Sequence, residues 1–428
     1  MTSRYELRLL DDGGKRIALL KNYAFFSYAR ALNNLGTFQI GFPFNEYLKL
    51  INNPFFSPDW RIDVWRAPTH DAPLRREQTY LLRKYSIYTR DSDNVQMIIL
   101  YGHDAKDLLE RRYIVQAAGY SETQKTGYID DMMKEIVREQ MLYNNAVDPD
   151  GTLDPNRAFP IGEFAVQGDL SLGPLVSQTF ADRNVLEVLK ELSETSKQLN
   201  ETNSLIYRKI YFDVVPFETK GLIEYILDEQ DASSPILDEM GIGILDELSQ
   251  VYSTELAWRF ETYADLYGQD RTSGIIYSVE NGNLESPYLS KTHMEEINTV
   301  YVKGFGRGDS RPWDEIADDA AVNLSRWNRR EGFQDASSEP DQDNLADYAY
   351  SVLYANEAIE ELTAVFLNTP GGPDTPQSLY GIDWDLGDIL PVQYAGKYFE
   401  IEVVIVYVSV NADGQETITG RNDVVAGV

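Results

Sequence analysis

Near the start of the chain, apolar residues recur at every second position in several short runs. That is the period of a half-buried β-strand. In YELRLLDDGGKRIALL (5–20) two such runs flank DDGG. This predicts a hairpin with Tyr5, Leu7 and Leu9 on one face and Glu6 and Arg8 on the other. Phe38, Ile40 and Phe42 alternate ahead of Pro43, and Trp60, Ile62 and Val64 alternate within DWRIDVWR (59–66). TYLLRKYSIYT (79–89) and VQMIIL (95–100) extend the meander, and short strands separated by turns predict a small barrel or sandwich.

After residue 100 the period becomes that of a helix. HDAKDLLERR (103–112) reads as a short helix, and 127–143 places Ile129, Met132, Met133, Ile136, Val137 and Met141 on one stripe. Turn formers dominate 144–174. Asn184 is a suitable N-cap for a second amphipathic helix carrying Val185, Val188, Leu189, Leu192 and Leu199. SLIYRKIYFDVV (204–215) returns to strand character, whereas 221–250 has no clear period. Strand patterns resume in LAWRFETY, SGIIYSVE, NLESPYLS and NTVYVKGF, from Leu256 onward. Leu345, Tyr348, Val352, Ile359, Leu362 and Phe366 predict one long helix over 341–368, ended by TPGGP (369–373). Phe399, Ile401 and Val403 then alternate with Glu400 and Glu402, and NADGQ (411–415) turns the chain back.

The predicted class is mainly β with α insertions (α+β). A first β-module covers 1–112 and a mixed helical and loop insertion 113–250. A second β-module begins over 251–312 and closes over 374–428, with a helical segment over 313–373 between its parts.

At 428 residues the chain exceeds what one hydrophobic core usually serves. Its 69 acidic and 38 basic residues give a net charge of −31, which argues against a nucleic-acid clamp or an anionic-membrane binder. Such acidity keeps a concentrated assembly soluble, suits a salt-adapted host, or lets DNA pass a surface without adhering. There is no cysteine, so disulfides, thiolate metal sites and cysteine nucleophiles are excluded together. MTSRYELRLL lacks a signal-peptide core, and no window has 18 continuous apolar residues.

Candidate chemistry is sparse. His70, His103 and His293 do not form a metal-binding spacing, and His103 fits a capping or packing role at the start of a helix. Neither a G-x-S-x-G elbow nor a Walker phosphate loop is present. Gly304, Gly306 and Gly308 follow a strand and read as a turn, with the wrong spacing for a dinucleotide fingerprint. Asp148, Asp150 and Asp154 resemble part of a calcium loop without its closing Glu, so a solvated turn is preferred. Paired carboxylates of the glycosidase kind carry no weight among 69 acidic residues. No residue is assigned a catalytic, cofactor-binding or metal role, and no cofactor is expected.

Eight stretches together resemble the siphophage tail-hub family of tail-associated, baseplate-hub-like proteins. They are 5–20, ALNNLGTFQIGFP (31–43), RIDVWR (61–66), VQMIILYGHDAKDLLERR (95–112), YGQDRTSGIIYSVENGNL (267–284), INTVYVKGFGRGDSR (297–311), NRREGFQDASSEP (328–340) and YGIDWDLGDILPV (380–392). Each is weak alone; their order across both ends of the chain carries the resemblance, and 113–250 matches poorly.

The resemblance implies two small β-barrels per chain and a homotrimer whose six barrels meet a hexameric tube. It implies a structural, non-enzymatic virion protein that closes the tail tube at the tip or baseplate of a bacteriophage and passes genomic DNA without binding it specifically. Expected partners are the distal tail ring protein, the tape-measure protein and tail fibre or spike proteins, with assembly in the host cytoplasm and no membrane anchoring. With no long region after the last strands, host recognition is left to other chains. Two other readings are a tail-associated cell-wall hydrolase with its site in 113–250 and a host-surface glycan-binding β-protein. Trp60, Trp65 and Trp258 lie in apolar strand patterns and read as packing residues.

Overall fold

The computed structural model describes residues 3–50, 57–115, 123–142, 152, 156–160, 162–180, 182–202, 209–219, 227–228, 231–235, 255–306, 308–336, 345–373 and 375–422. The predicted hairpin is present as β1 (Arg4–Leu10) and β2 (Arg16–Leu20). Its turn is closed by the Lys15 amide donating to Asp11 Oδ1 at 2.7 Å, with Gly14 at φ 89°. β3 (Phe25–Ala31), β4 (Thr37–Pro43), α1 (Phe44–Leu50), β5 (Arg61–Ala67), β6 (Arg75–Arg90) and β7 (Val95–Asp104) follow. Next come α2 (Asp107–Glu110), β8 (Thr123–Tyr128), α3 (Ile129–Met141), β9 (Phe164–Val166), β10 (Leu175–Phe180), α4 (Val185–Thr202), β11 (Ile210–Thr219), β12 (Leu227–Asp228), β13 (Asp231–Pro235) and β14 (Glu255–Ala264). The last third holds β15 (Leu284–Thr292), β16 (Thr299–Lys303), β17 (Trp313–Ala317), α5 (Asp319–Val322), β18 (Glu331–Asp335), α6 (Leu345–Ala355) and β19 (Ile359–Leu367). It closes with β20 (Ile389–Tyr394), β21 (Lys397–Glu402), β22 (Ile405–Asn411) and β23 (Glu416–Arg421).

The protein is mainly β. Among the described residues, eleven strands form one sheet in the order β15-β19-β23-β22-β3-β4-β7-β6-β5-β1-β2. The two ends of the chain meet at its middle, where β22 pairs antiparallel with β3. The sheet coils strongly. Tyr5 of β1 meets Phe26 of β3 with ring centroids 5.2 Å apart, although four strands lie between them. In a flat sheet five strand spacings would separate those strands by about 24 Å. Inside the curl Leu7, Leu9, Phe26, Tyr28, Phe38, Ile40, Ile62, Val64, Trp384, Val406 and Val408 share one core. Gly420 is required there, because a Cβ on it would stand 2.5 Å from the Trp384 ring.

A second core lies under the insertion. All six predicted stripe residues of α3 are buried, and they pack with Val185, Val188, Leu189 and Leu192 of α4 against β11, β14 and β9. Asn184 caps α4 as expected, its Oδ1 accepting from the Glu187 amide at 3.3 Å. A third, small core joins Val300 and Val302 of β16 to Leu345, Ala349 and Leu353, spaced by four along α6.

Several predicted elements differ. The long helix over 341–368 is instead the short helix α6, followed by strand β19. Leu362 and Phe366 are four apart, a spacing shared by both periods, but buried Ala364 between them betrays the strand. The helix placed at 103–112 shrinks to α2, because β7 continues through Asp104 with His103 paired to Thr37. SGIIYSVE makes a single isolated bridge, Tyr277 to Val392, instead of a strand. Strand β3 and helix α1 carry no signal recognised above, and β8 and β10 form a ribbon from stretches on either side of the loop-rich 144–174 to which the pattern assigns no strand. Most of 221–250 lies outside the described residues.

Candidate functional site

The outer face of the large sheet carries a trough of about 530 Å³ crossing β3, β4, β7, β22 and β23. Strand register builds it. Thr417 pairs with Ser409, Ser409 with Ser27, Ser27 with Gln39, and Gln39 with Tyr101, so one unbroken row of hydroxyl and amide side chains crosses five strands. Gln39 Nε2 donates to Ser27 Oγ at 2.9 Å within that row. A second row runs Thr419–Tyr407–Ala29. The first charge appears only beyond Tyr101, where Lys84 Nζ lies 5.1 Å from the ring centroid.

None of the fourteen lining residues is Asp, Glu, Lys or Arg. In a chain that is 25% charged, a surface of this width without a formal charge is not what solubility alone selects. His103 lines the trough, and its Nδ1 is buried with no hydrogen-bond partner among the described residues. The trough is therefore uncharged, tyrosine-bearing and rich in neutral donors and acceptors; depletion of charge and enrichment in Tyr are features of the core of protein interfaces.

Behind the trough, ion networks tie distant segments together. Arg66, 1% exposed, donates to Tyr5 Oη at 3.0 Å, to Glu416 at 3.3 Å and to the Tyr380 carbonyl at 3.1 Å. Arg30 donates to Tyr380 Oη at 2.6 Å and to Asp385 at 2.8 Å, and Tyr380 Oη in turn donates to Glu77 at 2.7 Å. Burial pushes the Glu77 carboxyl up, and the Arg30 guanidinium beside it only partly offsets this. A second network, Lys106 with Asp104 at 2.8 Å and Asp213 at 3.1 Å, joins the end of β7 to β11 of the insertion. Burial alone would lower Lys106, but the two carboxylates hold it above its ordinary value.

The profile of the Siphovirus ReqiPepy6 Gp37-like protein family matches residues 6–420. The chain belongs to that siphovirus family. Membership answers the resemblance read from the ordered sequence motifs. No curated protein matches the chain. Among solved structures, the 43 kDa tail protein of prophage MuSo2 from Shewanella oneidensis is 11% identical with a TM-score of 0.47, covering 97% of this chain and 96% of its own. Prophage tail protein gp18 from Listeria monocytogenes is 9% identical with a TM-score of 0.47, covering 98% and 94%. The phage P2 baseplate in its activated conformation with Ca gives 9% identity and a TM-score of 0.34, covering 99% and 100%.

In this Gp37-like chain the residues singled out by sequence do not converge. His70 is exposed beside Asp71, His103 lies in the trough, and His293 Nδ1 sits 2.7 Å from Glu296 Oε2. Gly304, Gly306 and Gly308 form the turn after β16, with Gly306 and Gly308 at φ 128° and 57°. Asp148, Asp150 and Asp154 lie outside the described residues. Trp258 is buried under Arg61, whose guanidinium is 4.7 Å from the ring, and Trp60 packs against the main core. Trp65 is sandwiched by Arg8 at 4.0 Å and Arg76 at 5.0 Å. Among the described residues no group of three or more His, Cys, Asp or Glu is placed to hold a metal ion. No described helix is long and apolar enough to cross a membrane.

The trough residues were missed by sequence reasoning. Their only signal is a run of Ser, Thr, Gln and Tyr, without charge, at the outward positions of strands that are otherwise apolar. That Ser27 adjoins Ser409 is invisible without the pairing of β3 with β22.

Proposed function

We propose that the chain is a structural hub of the tail tip or baseplate, a homotrimer that closes the tail tube, connects it to distal components and passes DNA on infection. The observation that carries this reading is the uncharged trough on a protein of net charge −31. A trough cleared of charge across five strands is suited to burial against a neighbouring protein chain, because desolvating formal charges at an interface is costly and neutral hydroxyls and amides are readily paired. The remaining acidic surface would repel DNA at a channel wall.

The strong coiling that brings β1 onto β3 supports small barrel-like lobes, and closure protects strand edges. On this reading 1–112 and the segments 251–312 and 374–428 supply the two lobes, and 113–250 and 313–373 are additions to them. Closed threefold symmetry ends growth without fibres. The distal tail ring, tape-measure and fibre or spike proteins are the partners, the role requires no catalysis, and assembly takes place in the host cytoplasm.

The absence of cysteine allows a direct test. Ser409→Cys places a thiol in the trough, and Ser92→Cys places one at the exposed β6–β7 turn. In the assembled particle a maleimide reagent should modify Ser92→Cys readily and Ser409→Cys only after dissociation. Equal labelling of both in the intact assembly would remove the basis for the proposal.

A further inference from the structure

Between β15 and β19, neighbours in the large sheet, the chain departs to build the small module β17-β16-β18 backed by α6. Strand alternation buries Val300 and Val302 against α6 and turns the opposite face outward. Register sets two rows across that outer face, Glu315–Tyr301–Phe333 and Trp313–Lys303–Asp335. Trp313 is 56% exposed and Phe333 58%, and Phe305, just past the end of β16, is 62% exposed. The rings of Tyr301 and Trp313 have centroids 6.4 Å apart. Large aromatics gathered on the open face of a small sheet mark a binding surface, because their burial would gain free energy that solvent exposure forgoes.

The charges around these rings are balanced, and both arginines among them are held in place. Arg329 donates to Glu315 at 2.7 Å, to Glu331 at 2.8 Å and to Tyr301 Oη at 2.9 Å. Arg311 pairs with Asp335 and donates to the carbonyls of Gly304 at 2.7 Å and Lys303 at 2.9 Å. Among the described residues of this face the cations Lys303, Arg311 and Arg329 stand beside the anions Glu315, Glu331 and Asp335, three of each. A polyanion such as nucleic acid needs an excess of cations, and the described residues of this face carry none. A ligand that is uncharged, has an apolar face to lie on an aromatic ring and carries many hydroxyls at its rim fits both features.

We propose that the outer face of this module binds a neutral polysaccharide, its pyranose rings stacking on Trp313 and Phe333. The hydroxyls are held by the planar guanidinium and carboxylate groups of Arg329, Glu315 and Glu331, which present donors and acceptors already locked in place. The proposal is independent of the assembly reading, because the face belongs to a separate core and shares no residue with the trough.

The test is affinity electrophoresis of the full-length chain through native gels cast with dextran, mannan or galactan. At least one polymer should retard the parent. Trp313→Ala and Phe333→Ala should each weaken retardation about tenfold. Both side chains are more than half exposed, so folding, checked by circular dichroism, should be unchanged. Tyr85→Ala, an exposed aromatic on β6, should bind as the parent does. Retardation by none of the three polymers, or retardation that survives the double variant, would overturn the proposal. So would finding this face covered by another protein chain in the assembled particle.

Discussion

Replacing Arg66 by Met removes the cation that joins three distant segments while keeping much of its apolar stem. The Arg66 side chain is 1% exposed, and its loss leaves Glu416, 15% exposed, without its cation and the Tyr380 carbonyl without that donor. Breaking a buried pair from one side costs about 3–5 kcal/mol. The partial exposure of Glu416 places this pair near the lower end, about 3 kcal/mol. The guanidinium also lies 4.9 Å from the Tyr380 ring centroid. Losing that contact adds about 0.5–1 kcal/mol. The expected destabilisation is therefore about 3.5 kcal/mol. Glu416→Gln keeps a hydrogen-bonding amide and should cost about 1–2 kcal/mol. Because the two share one interaction, the double variant should fall short of their sum by about 1–3 kcal/mol. The assay is urea unfolding followed by fluorescence, with Trp384, buried 5.2 Å from the Tyr380 ring centroid, reporting on this region. An Arg66→Met variant within about 1 kcal/mol of the parent, or additivity within about 0.5 kcal/mol, would refute the reasoning.

Two further outcomes are expected. Burial raises Glu77 above its ordinary 4.5, so its contribution to stability is full below that value and declines as pH rises through the raised one. Glu77→Gln lacks this decline, and its stability relative to the parent should climb with pH from about 4.5 upward and then level off; a constant difference in denaturant unfolding from pH 4 to 8 would contradict this. Gly102→Ala would place a Cβ 2.5 Å from the Leu81 carbonyl oxygen, whereas Gly127→Ala meets nothing within 4 Å. The first should destabilise by about 1–3 kcal/mol and the second by less than about 0.5 kcal/mol in the same unfolding assay, and equal effects would be inconsistent with the packing described.

Much of the fold was legible wherever local pattern and tertiary role agree. The β1–β2 hairpin announces itself through DDGG, α3 through six apolar residues on one stripe, and α4 through Asn184 and its periodic Val and Leu. Legibility failed where one spacing serves two periods, as at Leu362 and Phe366 in β19, and where pairing is set by distant residues, as when His103 extends β7 by pairing with Thr37. The family was readable from ordered motifs, but the site was not. Its residues, Ser27, Gln39, Tyr101, Ser409 and Thr417, are ordinary strand-surface types that become a site only when β22 is laid beside β3. The exposed Trp313 and Phe333 were equally silent, because alternation shows that two faces exist without showing which one α6 covers.

The most direct test of the assembly reading is the native mass of the purified full-length chain. A species of three times the 48.7 kDa protomer, dissociated to folded monomer when Ser27 and Ser409 are both changed to Asp, is the result predicted. A parent chain that stays at 48.7 kDa at micromolar concentration, or a trimer indifferent to both charges, would contradict it.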